Sequence, residues 1–268
     1  MTLPADLREA AALFAERDRV LVATDFDGVL APLVLDPSTS APLPGTIEDL
    51  RALHGYPQTW AAVVSGRDLA TLTELTGLGD SSVTRIGSHG AESSEAADDA
   101  GGTELTDAQR EHLTALTAEL EDLCAGLSEG VYLEHKPSAV VLHTRRMADE
   151  PAAEAEQAAL EVAARHTGLH VLHGKQVVEM SVLQADKGTA LVALRDAVGA
   201  THVAYFGDDV TDEHAFSALG DDDLTVKVGD GETAARFRVA GPQDAAQALS
   251  LLRTLRAAAT TATDPLAM

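Results

Sequence analysis

Val-Leu-Val-Ala-Thr-Asp-Phe-Asp-Gly, residues 20–28, is an apolar stretch that ends in two carboxylates and a glycine. The apolar part predicts a buried strand, and a parallel strand would aim Asp25 and Asp27 toward one side as it leaves the sheet. Two carboxylates this close repel each other unless a cation or a proton intervenes. The pattern therefore indicates a Mg²⁺ site in which a carboxylate can attack phosphorus. An ordinary Asp-Gly turn after a strand is the alternative, and this stretch alone leaves both open.

Composition and charge restrict the partners that this chain can bind. The 268 residues are 45% hydrophobic, which is ordinary for a folded protein with one large domain or two smaller ones. The net charge is −24, from 43 acidic and 19 basic residues, so we expect neither nucleic acid nor an anionic membrane as a partner. Any phosphate-binding site must therefore carry its own local positive charge.

The sequence shows no pattern of export and no pattern of a zinc site. No stretch reaches the ~20 apolar residues of a membrane helix, and residues 1–6 lack the basic and apolar pattern of a signal peptide. We therefore expect a cytoplasmic protein, and we expect a monomer. Cys124, the one cysteine, lies in a helical pattern and is interpreted as a spectator, and the spacing His170-x-x-His173 disfavours zinc.

Helical and strand patterns alternate at the beginning and again at the end of the chain, which favours a parallel α/β sheet. Predicted strands cover 20–24, 59–64, 83–86, 202–206, 224–228 and 236–239. Predicted helices cover 3–18, 47–54, 67–76, 187–198 and 243–258. We expect a doubly wound, Rossmann-like parallel sheet in this part of the chain, residues 1–104 and 183–268.

The middle of the chain has a different order of elements. Residues 91–104 are small and acidic and predict a flexible linker, after which Thr106 and Gln109 form a capping box for a helix to about residue 125. Strand pairs at 131–135 with 139–144 and at 169–172 with 176–181 enclose a helix at 151–166. This order predicts an α+β cap domain, residues 105–182, inserted into the sheet domain, with hinges at 91–104 and 182–186.

Four groups of polar residues follow predicted strands of the sheet or begin a predicted helix beside it. They are Asp25 with Asp27, Ser65-Gly66-Arg67, Lys187-Gly188 and Gly207-Asp208-Asp209-Val210-Thr211-Asp212-Glu213. Each has a plainer interpretation, since Ser-Gly-Arg is a common loop tripeptide and Thr211 or Asp212 can simply cap a helix. Because doubly wound sheets place their active sites at the carboxyl ends of strands, the four groups together indicate one site.

This order of motifs resembles the haloacid dehalogenase superfamily of phosphotransferases across essentially the whole chain. The resemblance implies that Asp25 is a nucleophile that becomes phosphorylated, and that Asp27 protonates the leaving oxygen and then deprotonates water. It implies that Ser65 hydrogen-bonds a phosphoryl oxygen and that Lys187 neutralises charge on the nucleophile and the phosphoryl group. One departure is Val29, where the superfamily usually has threonine.

The same resemblance implies Mg²⁺ as the cofactor, held by acidic residues. Asp208 would complete the coordination of the metal with Asp25 and the main-chain carbonyl of Asp27. Asp209 and Asp212 would be further ligands through water, or would orient the ligands.

The predicted cap carries charged motifs that narrow the substrate. They are Glu134-His135-Lys136-Pro137, His143-Thr144-Arg145 and Gly174-Lys175 with Glu179, preceded by Gly87-Ser88-His89-Gly90. From the hairpin residues alone, a solvated charged surface is the simpler interpretation. With the Gly-Asp-Asp-x-Thr-Asp-Glu motif at 207–213, however, the whole order is similar to the trehalose-6-phosphate phosphatase family.

That resemblance implies that Glu134, Lys136 and Glu179 hold the distal glucose of a phosphorylated disaccharide. It implies further substrate contacts by three basic residues, Arg67, His89 and Arg145, of which the last two lie near the phosphorylated sugar. The chain departs from the family at Ser181-Val182, where the family often has Arg-Pro, which puts one contact in doubt.

We therefore expect a Mg²⁺-dependent phosphatase that hydrolyses trehalose 6-phosphate to trehalose and phosphate through an aspartyl-phosphate. The alternatives are a related phosphatase acting on sucrose phosphate or a mannosyl phosphoglycerate, a phosphomutase, and a non-catalytic sugar-phosphate sensor on the same fold. The intact set of Asp25, Asp27, Lys187 and Asp208 argues against the sensor, because a binding protein needs no nucleophile and no acid.

Overall fold

The computed structural model describes residues 3–94, 105–183 and 185–262. The chain divides into two compact units, Met1–Gly102 with Asp186–Met268 (the sheet unit) and Thr103–Ala185 (the hairpin unit). Most of the predicted linker, residues 95–104, and part of the second predicted hinge, residue 184, lie outside the described residues. The assignment of the two units as a catalytic core and a cap stays a prediction.

Helices and strands are numbered here in chain order. The helices are α1 Ala5–Ala15, α2 Thr46–His54, α3 Leu69–Thr76, α4 Asp107–Ala125, α5 Asp149–Ala163, α6 Lys187–Val198, α7 Val210–Ala218 and α8 Pro242–Ala262. The strands are β1 Val20–Thr24, β2 Thr59–Val64, β3 Thr84–Gly87, β4 Glu92–Ser93, β5 Tyr132–His135, β6 Ala139–His143, β7 His170–Gly174, β8 Val177–Ser181, β9 His202–Gly207, β10 Leu224–Val228 and β11 Phe237–Val239. Among the described residues, no helix combines the length and the apolar character that crossing a membrane requires.

The sheet unit contains a seven-stranded sheet in the order β11-β10-β9-β1-β2-β3-β4. Its strands are parallel except for β4, which runs antiparallel to β3. Strand β1 lies between β9 and β2, with Val22 opposite Ala61 on one side and Ala204 on the other. The strand order reverses at β1, and open α/β sheets bind their ligands beyond the carboxyl end of that position.

Both faces of this sheet are buried, because alternate residues of β1 belong to different hydrophobic clusters. Val20 and Val22 pack in a cluster with apolar residues of α1, α2 and α8, while Leu21 and Ala23 pack with α6 and α7. A strand that is buried on both faces has a continuous run of apolar residues in its sequence, as β1 does. The predicted doubly wound fold is confirmed.

Helix α8 is also tied to the sheet unit by one buried arginine. The Arg256 guanidinium donates to the carbonyl oxygens of Ala15 at 2.9 Å and Asp18 at 3.0 Å, and to Thr59 Oγ1 at 2.8 Å. It also donates to the carbonyl of Gln58 at 3.2 Å. This single side chain therefore joins the end of α1, the start of β2 and α8.

The hairpin unit contains an antiparallel sheet in the order β5-β6-β8-β7. Apolar residues of α4 and α5 pack against one face, where Val140, Leu142 and Met180 are buried. On the opposite face Val141 lies directly between Glu134 and Glu179 in the strand register. The α+β character predicted for this part of the chain is confirmed, and so is the capping box between Thr106 and Gln109.

The main local difference from the sequence prediction is at the start of the predicted linker. Glu92 and Ser93 form the short strand β4. The Glu92 carboxylate accepts hydrogen bonds from Ser88 Oγ at 2.6 Å and from the backbone N–H of Leu69, the first residue of α3, at 3.1 Å. Residues 91–94 are therefore held by polar contacts that an acidic, small-residue composition does not reveal.

Candidate active site

The strongest candidate for a nucleophile is Asp25, which follows β1. Only 5% of this residue is exposed. One carboxylate oxygen accepts from the backbone N–H of Phe26 at 2.7 Å, and the other lies 3.0 Å from Lys187 Nζ. Burial raises the pKa of Asp25 well above its usual value, against the opposing effect of Lys187. The carboxylate is thus desolvated and has a fixed cationic neighbour.

Lys187 is the first residue of α6 and is 2% exposed. Its Nζ lies 2.8 Å from Asp212 Oδ1 and 3.0 Å from Asp25 Oδ2, so it bridges two carboxylates that are far apart in sequence. Burial lowers the pKa of Lys187, but Asp212 and Asp25 outweigh burial and raise it above its usual value. Lys187 is therefore a permanent positive charge beside Asp25.

Asp212 is completely buried and accepts four hydrogen bonds. Oδ1 accepts from Lys187 Nζ at 2.8 Å and from the Tyr205 hydroxyl at 2.7 Å, and Oδ2 accepts from the backbone N–H groups of Asp208 at 2.8 Å and Asp209 at 3.0 Å. Burial opposes ionisation, but Lys187 and these hydrogen bonds lower the pKa of Asp212. A carboxylate has about four acceptor positions, so all those of Asp212 are used by these hydrogen bonds, and Asp212 orients the groups that donate to it. Gly207 makes this possible, because a Cβ there would lie 2.3 Å from the Asp212 Cβ.

A group of carboxylates fits a divalent cation. One oxygen from each of Asp25, Asp208 and Asp212 lies within 4.8 Å of the others. Burial and the neighbouring Asp212 raise the pKa of Asp208 to about 7, as expected where like charges lie close together. Hard oxygen donors of this kind suit Mg²⁺. Because Asp212 is filled by hydrogen bonds, Asp25 and Asp208 are the side chains that fit as direct ligands.

The backbone beside this group is shaped to admit Asp208. Gly28 has a φ of +79°, and a Cβ there would lie 1.9 Å from Asp208 Oδ2. Asp209, another predicted metal residue of this motif, is exposed and forms the N-cap of α7, where its carboxylate accepts from Val210 N–H at 2.7 Å. Asp209 is therefore the N-cap of α7, and Asp212 completes a capping box by accepting from the Asp209 N–H.

Asp27, the predicted acid and base, is held by Arg67. Both of its oxygens accept from the guanidinium, at 2.6 Å from Nε and 2.8 Å from Nη2, and Ser40 Oγ donates at 3.0 Å. The guanidinium also lies over the ring of Phe26, 5.6 Å from its centroid. Arg67 thus contacts a catalytic candidate directly, and its predicted contact with substrate stays a prediction. The sequence put both residues in the site without indicating this pair.

Ser65 follows β2 and His89 follows β3, and the two segments pack against each other at the carboxyl ends of these neighbouring strands. Ser65 is buried, its Oγ accepts from Arg67 N–H at 3.2 Å, and its carbonyl accepts from His89 N–H at 3.0 Å. His89 has a φ of +55°. Gly66 permits the close approach of the imidazole, since a Cβ there would lie 2.5 Å from His89 Cε1. The Ser-Gly-Arg and Gly-Ser-His-Gly motifs are therefore neighbours in the sheet unit.

Three of the predicted sugar-binding residues of the hairpin unit are held by polar contacts. Lys136 Nζ donates to Glu179 at 2.6 Å, and Glu134 forms a hydrogen bond with His143 Nε2 at 2.8 Å. The His143 hydrogen bond lowers the pKa of Glu134. Arg145 is exposed just beyond β6. Carboxylates and an ammonium grouped in this way suit sugar hydroxyls, and their predicted role stays a prediction.

Two buried polar residues near the site were missed by the sequence analysis. Tyr205 lies in β9 and donates to Asp212. Lys227 lies in β10 and donates to the main-chain carbonyl of Asp208. A signal for Lys227 was present, because a lysine within the apolar run Leu-Thr-Val-Lys-Val is rarely buried without a partner.

Comparison with known proteins shows which family this chain belongs to. The trehalose-phosphatase family model matches residues 23–243. The chain belongs to the trehalose-phosphatase family. Its membership confirms the resemblance predicted from the motif order.

Curated members of the trehalose-phosphatase family show how much of the sequence is shared. The trehalose-phosphate phosphatase of Mycobacterium marinum is 33% identical over 246 residues, which cover 85% of this chain and 60% of that protein. The one of Mycobacterium tuberculosis is 34% identical over 257 residues, covering 89% and 63%. The chain spans about three fifths of the length of these curated relatives.

Solved structures of the trehalose-phosphatase type share the fold. A trehalose-6-phosphate phosphatase related protein is 27% identical, with a TM-score of 0.70, and the match covers 89% of this chain and 99% of that chain. The C-terminal domain of the C. albicans trehalose-6-phosphate phosphatase gives a TM-score of 0.77 at 22% identity, covering 95% and 99%. The second likeness supports the fold alone.

Proposed function

We propose that this chain is a Mg²⁺-dependent phosphatase that hydrolyses trehalose 6-phosphate to trehalose and phosphate through a phosphorylated Asp25. The observation that carries the proposal is Lys187 Nζ, which lies 3.0 Å from Asp25 and 2.8 Å from Asp212 at the edge of the Asp25–Asp208 cluster. Asp25 would be both the nucleophile and a metal ligand, with Lys187 as a permanent cation and Asp208 as a second ligand. Such an arrangement suits phosphoryl transfer, in which positioning and charge neutralisation dominate. Membership in the trehalose-phosphatase family supports the substrate.

In the first step an Asp25 oxygen bonds to phosphorus, and the bond from phosphorus to the sugar oxygen breaks. Asp27 gives a proton to that leaving oxygen, so the sugar departs as a neutral alcohol. Both Asp27 oxygens accept from Arg67, and Oδ2, which accepts from Arg67 Nε, has a second lone pair that can carry the proton. Lys187 and Ser65 stabilise the phosphoryl oxygens as the charge is redistributed.

In the second step water attacks the phosphorus of phospho-Asp25. Asp27, now ionised, takes the proton of the water, the bond between phosphorus and the Asp25 oxygen breaks, and inorganic phosphate leaves. Asp25 and Asp27 return to their starting forms, so the cycle is balanced. Lys187 again compensates the negative charge beside Asp25.

Asp25, Asp208 and the main-chain carbonyl of Asp27 are the groups that would hold Mg²⁺. When bound, the ion neutralises the carboxylates and polarises a phosphoryl oxygen. Asp212 keeps Lys187 and the backbone of Asp208 in place through its four hydrogen bonds. Asp209 caps α7 and acts on the site through that helix.

The hairpin unit supplies sugar recognition in this proposal. Glu134, Lys136 and Glu179 hold the distal glucose, and Arg145 lies near the phosphorylated sugar. In the sheet unit, His89 is assigned to that same sugar and Arg67 to a further substrate contact. The assignment to the distal glucose is supported by the strand register. Glu134 and Glu179 are the two residues paired with Val141, so both carboxylates lie on one face of the sheet.

The proposal is tested by phosphate release from trehalose 6-phosphate with Mg²⁺ and with a chelator. We expect turnover that the chelator abolishes and that Asp25→Asn abolishes while substrate binding, measured by calorimetry, persists. No phosphate release from trehalose 6-phosphate overturns the proposal. Faster turnover of sucrose phosphate or a mannosyl phosphoglycerate identifies the related phosphatase instead.

The role of the hairpin unit has its own test. We expect Glu134→Gln and Glu179→Gln to lower kcat/KM for trehalose 6-phosphate at least tenfold and to leave hydrolysis of p-nitrophenyl phosphate unchanged. Glu154→Gln, at an exposed position on α5, is the matched control. An equal loss of both activities would show that the sugar-binding assignment is wrong.

A further inference from the structure

Lys227 is a second buried lysine beside the catalytic loop, and the reaction described above gives it no part. It lies in β10 opposite Gly207 of β9, and it is 4% exposed. Its four neighbours in β10 are buried, and the strand is otherwise suited to the interior of the sheet. A buried ion pair often adds little stability over apolar side chains of similar size, so a charged residue at this position calls for a reason besides stability.

Two contacts hold the Lys227 ammonium. Nζ donates to the main-chain carbonyl of Asp208 at 2.6 Å and lies 3.2 Å from Glu213 Oε1. The other Glu213 oxygen accepts from the backbone N–H of Ala234 at 2.8 Å and from Thr233 Oγ1 at 3.2 Å. Glu213 is therefore fixed, and it in turn fixes the ammonium against the Asp208 carbonyl.

Asp208 is held on both sides of its backbone as a result. Its N–H donates to Asp212 Oδ2 at 2.8 Å, and its carbonyl accepts from Lys227 at 2.6 Å. The Asp208 carboxylate lies against Gly28. With both backbone groups fixed, the carboxylate can move only by its own side-chain rotations. This matters for a metal ligand, because removing a group that holds a ligand in place commonly weakens metal binding tenfold or more.

We propose that Lys227 is a positioning residue that holds the Asp208 carboxylate ready for a divalent cation, with Glu213 as its anchor. The inference rests on the proposed function only in taking Mg²⁺ as that cation. Lys227 has two opposite effects on a cation near Asp208. Its charge repels the cation, whereas its hydrogen bond orders the ligand. The proposal is that ordering is the larger effect.

The sign of the change in metal affinity tests this directly. Mg²⁺ is titrated by calorimetry into chelator-treated full-length protein and into Lys227→Met. We expect the dissociation constant of Lys227→Met to rise about 10–100-fold, the range found when a group that orders a metal ligand is lost. Lys175→Met, at an exposed lysine of the hairpin unit, is the matched control and leaves the dissociation constant unchanged. An unchanged or smaller constant for Lys227→Met overturns the proposal, because it is the result expected of charge removal alone.

A second variant and a second readout complete the test. Lys227→Arg keeps the charge but places different donor atoms near the Asp208 carbonyl, so we expect a rise of several-fold that a purely electrostatic role would not give. It also carries the test if Lys227→Met does not fold. At saturating Mg²⁺ the kcat of either variant returns toward that of the unmodified protein.

Failure of the proposed function is distinguishable from failure of this inference. Mg²⁺ binding that weakens in the Lys227 variants, in a protein that does not hydrolyse trehalose 6-phosphate, supports the positioning role and refutes the substrate. Absence of Mg²⁺ binding to the unmodified protein overturns the positioning role itself.

Discussion

Asparagine in place of Asp212 keeps the shape of the side chain but cannot accept the same four hydrogen bonds. The carboxylate accepts from Lys187 and Tyr205 at one oxygen and from the backbone N–H groups of Asp208 and Asp209 at the other. An amide has one oxygen, so its NH₂ group must face one of these two pairs of donors. The better orientation turns the NH₂ toward Lys187 and Tyr205, because the Tyr205 hydroxyl can rotate and accept while the ammonium cannot.

The size of the loss follows from these contacts. Losing the Lys187 hydrogen bond to a charged acceptor costs about 1.5–3 kcal/mol. The two backbone hydrogen bonds become neutral and each weakens by roughly 0.5–1 kcal/mol, since charged acceptors make bonds about twice as strong. Lys187 keeps Asp25 as a partner at 3.0 Å, which limits the further penalty of a broken buried ion pair. We expect Asp212→Asn to lower the free energy of unfolding by about 3–5 kcal/mol.

Urea denaturation followed by circular dichroism at neutral pH, with a chelator present, measures this change. The matched control is Asp209→Asn, an identical substitution in the same loop at the exposed N-cap of α7, where asparagine and aspartate cap equally well. We expect the control to change the free energy of unfolding by less than about 0.5 kcal/mol. Equal effects of the two substitutions, or a change below about 1 kcal/mol for Asp212→Asn, would refute this reasoning. Either result would show that the negative charge of Asp212 and its four hydrogen bonds do not stabilise the fold as argued.

Three further predictions concern pH, packing and the loop beside the proposed metal site. The pKa of Asp208 in the folded protein is raised to about 7, so the folded protein binds a proton that the unfolded chain does not bind as pH falls from about 8 to about 5. Metal-free protein should therefore become more stable over this range in calorimetric melts, and Asp208 contributes a slope of at most about 1.4 kcal/mol per pH unit. Saturating Mg²⁺ should reduce that slope. Arg256→Met should lower the free energy of unfolding in urea by about 3 kcal/mol, because Thr59 and three backbone carbonyls, one of them buried, lose their donor, and a change below about 1 kcal/mol would contradict that. Gly28→Ala should raise the Mg²⁺ dissociation constant at least tenfold by displacing Asp208, and unchanged Mg²⁺ titrations would show that the Gly28 contact has no role.

The strand ends that form the site could be predicted from the sequence because each one is marked locally. An apolar run ends in Asp25, another ends in Ser65, and a third ends in Gly207, and parallel strands bring such ends to one edge. Lys187 could be placed there because it begins a helix that returns to the sheet. These inferences need only the order of elements.

The contacts between the site residues could not be predicted in the same way. The pairing of Lys227 with the Asp208 carbonyl depends on the register of β10 against β9, which no local pattern specifies. The Asp27–Arg67 pair depends on how two loops approach each other across 40 positions of sequence. Asp209 as the helix cap is a choice among adjacent polar residues, each of which can cap.

The central place of β1 has a consequence during synthesis on the ribosome. Strand β2 follows β1 closely, but β9, which completes the other side of β1, is translated about 180 residues later, roughly 10–40 s at usual elongation rates. Through that interval the backbone of Val20–Thr24 has an unpaired edge and an apolar face without its final cover. Open edges of this kind attract other strands. Aggregation during expression should therefore depend on how long nascent chains stall before residue 202, and much less on the finished protein.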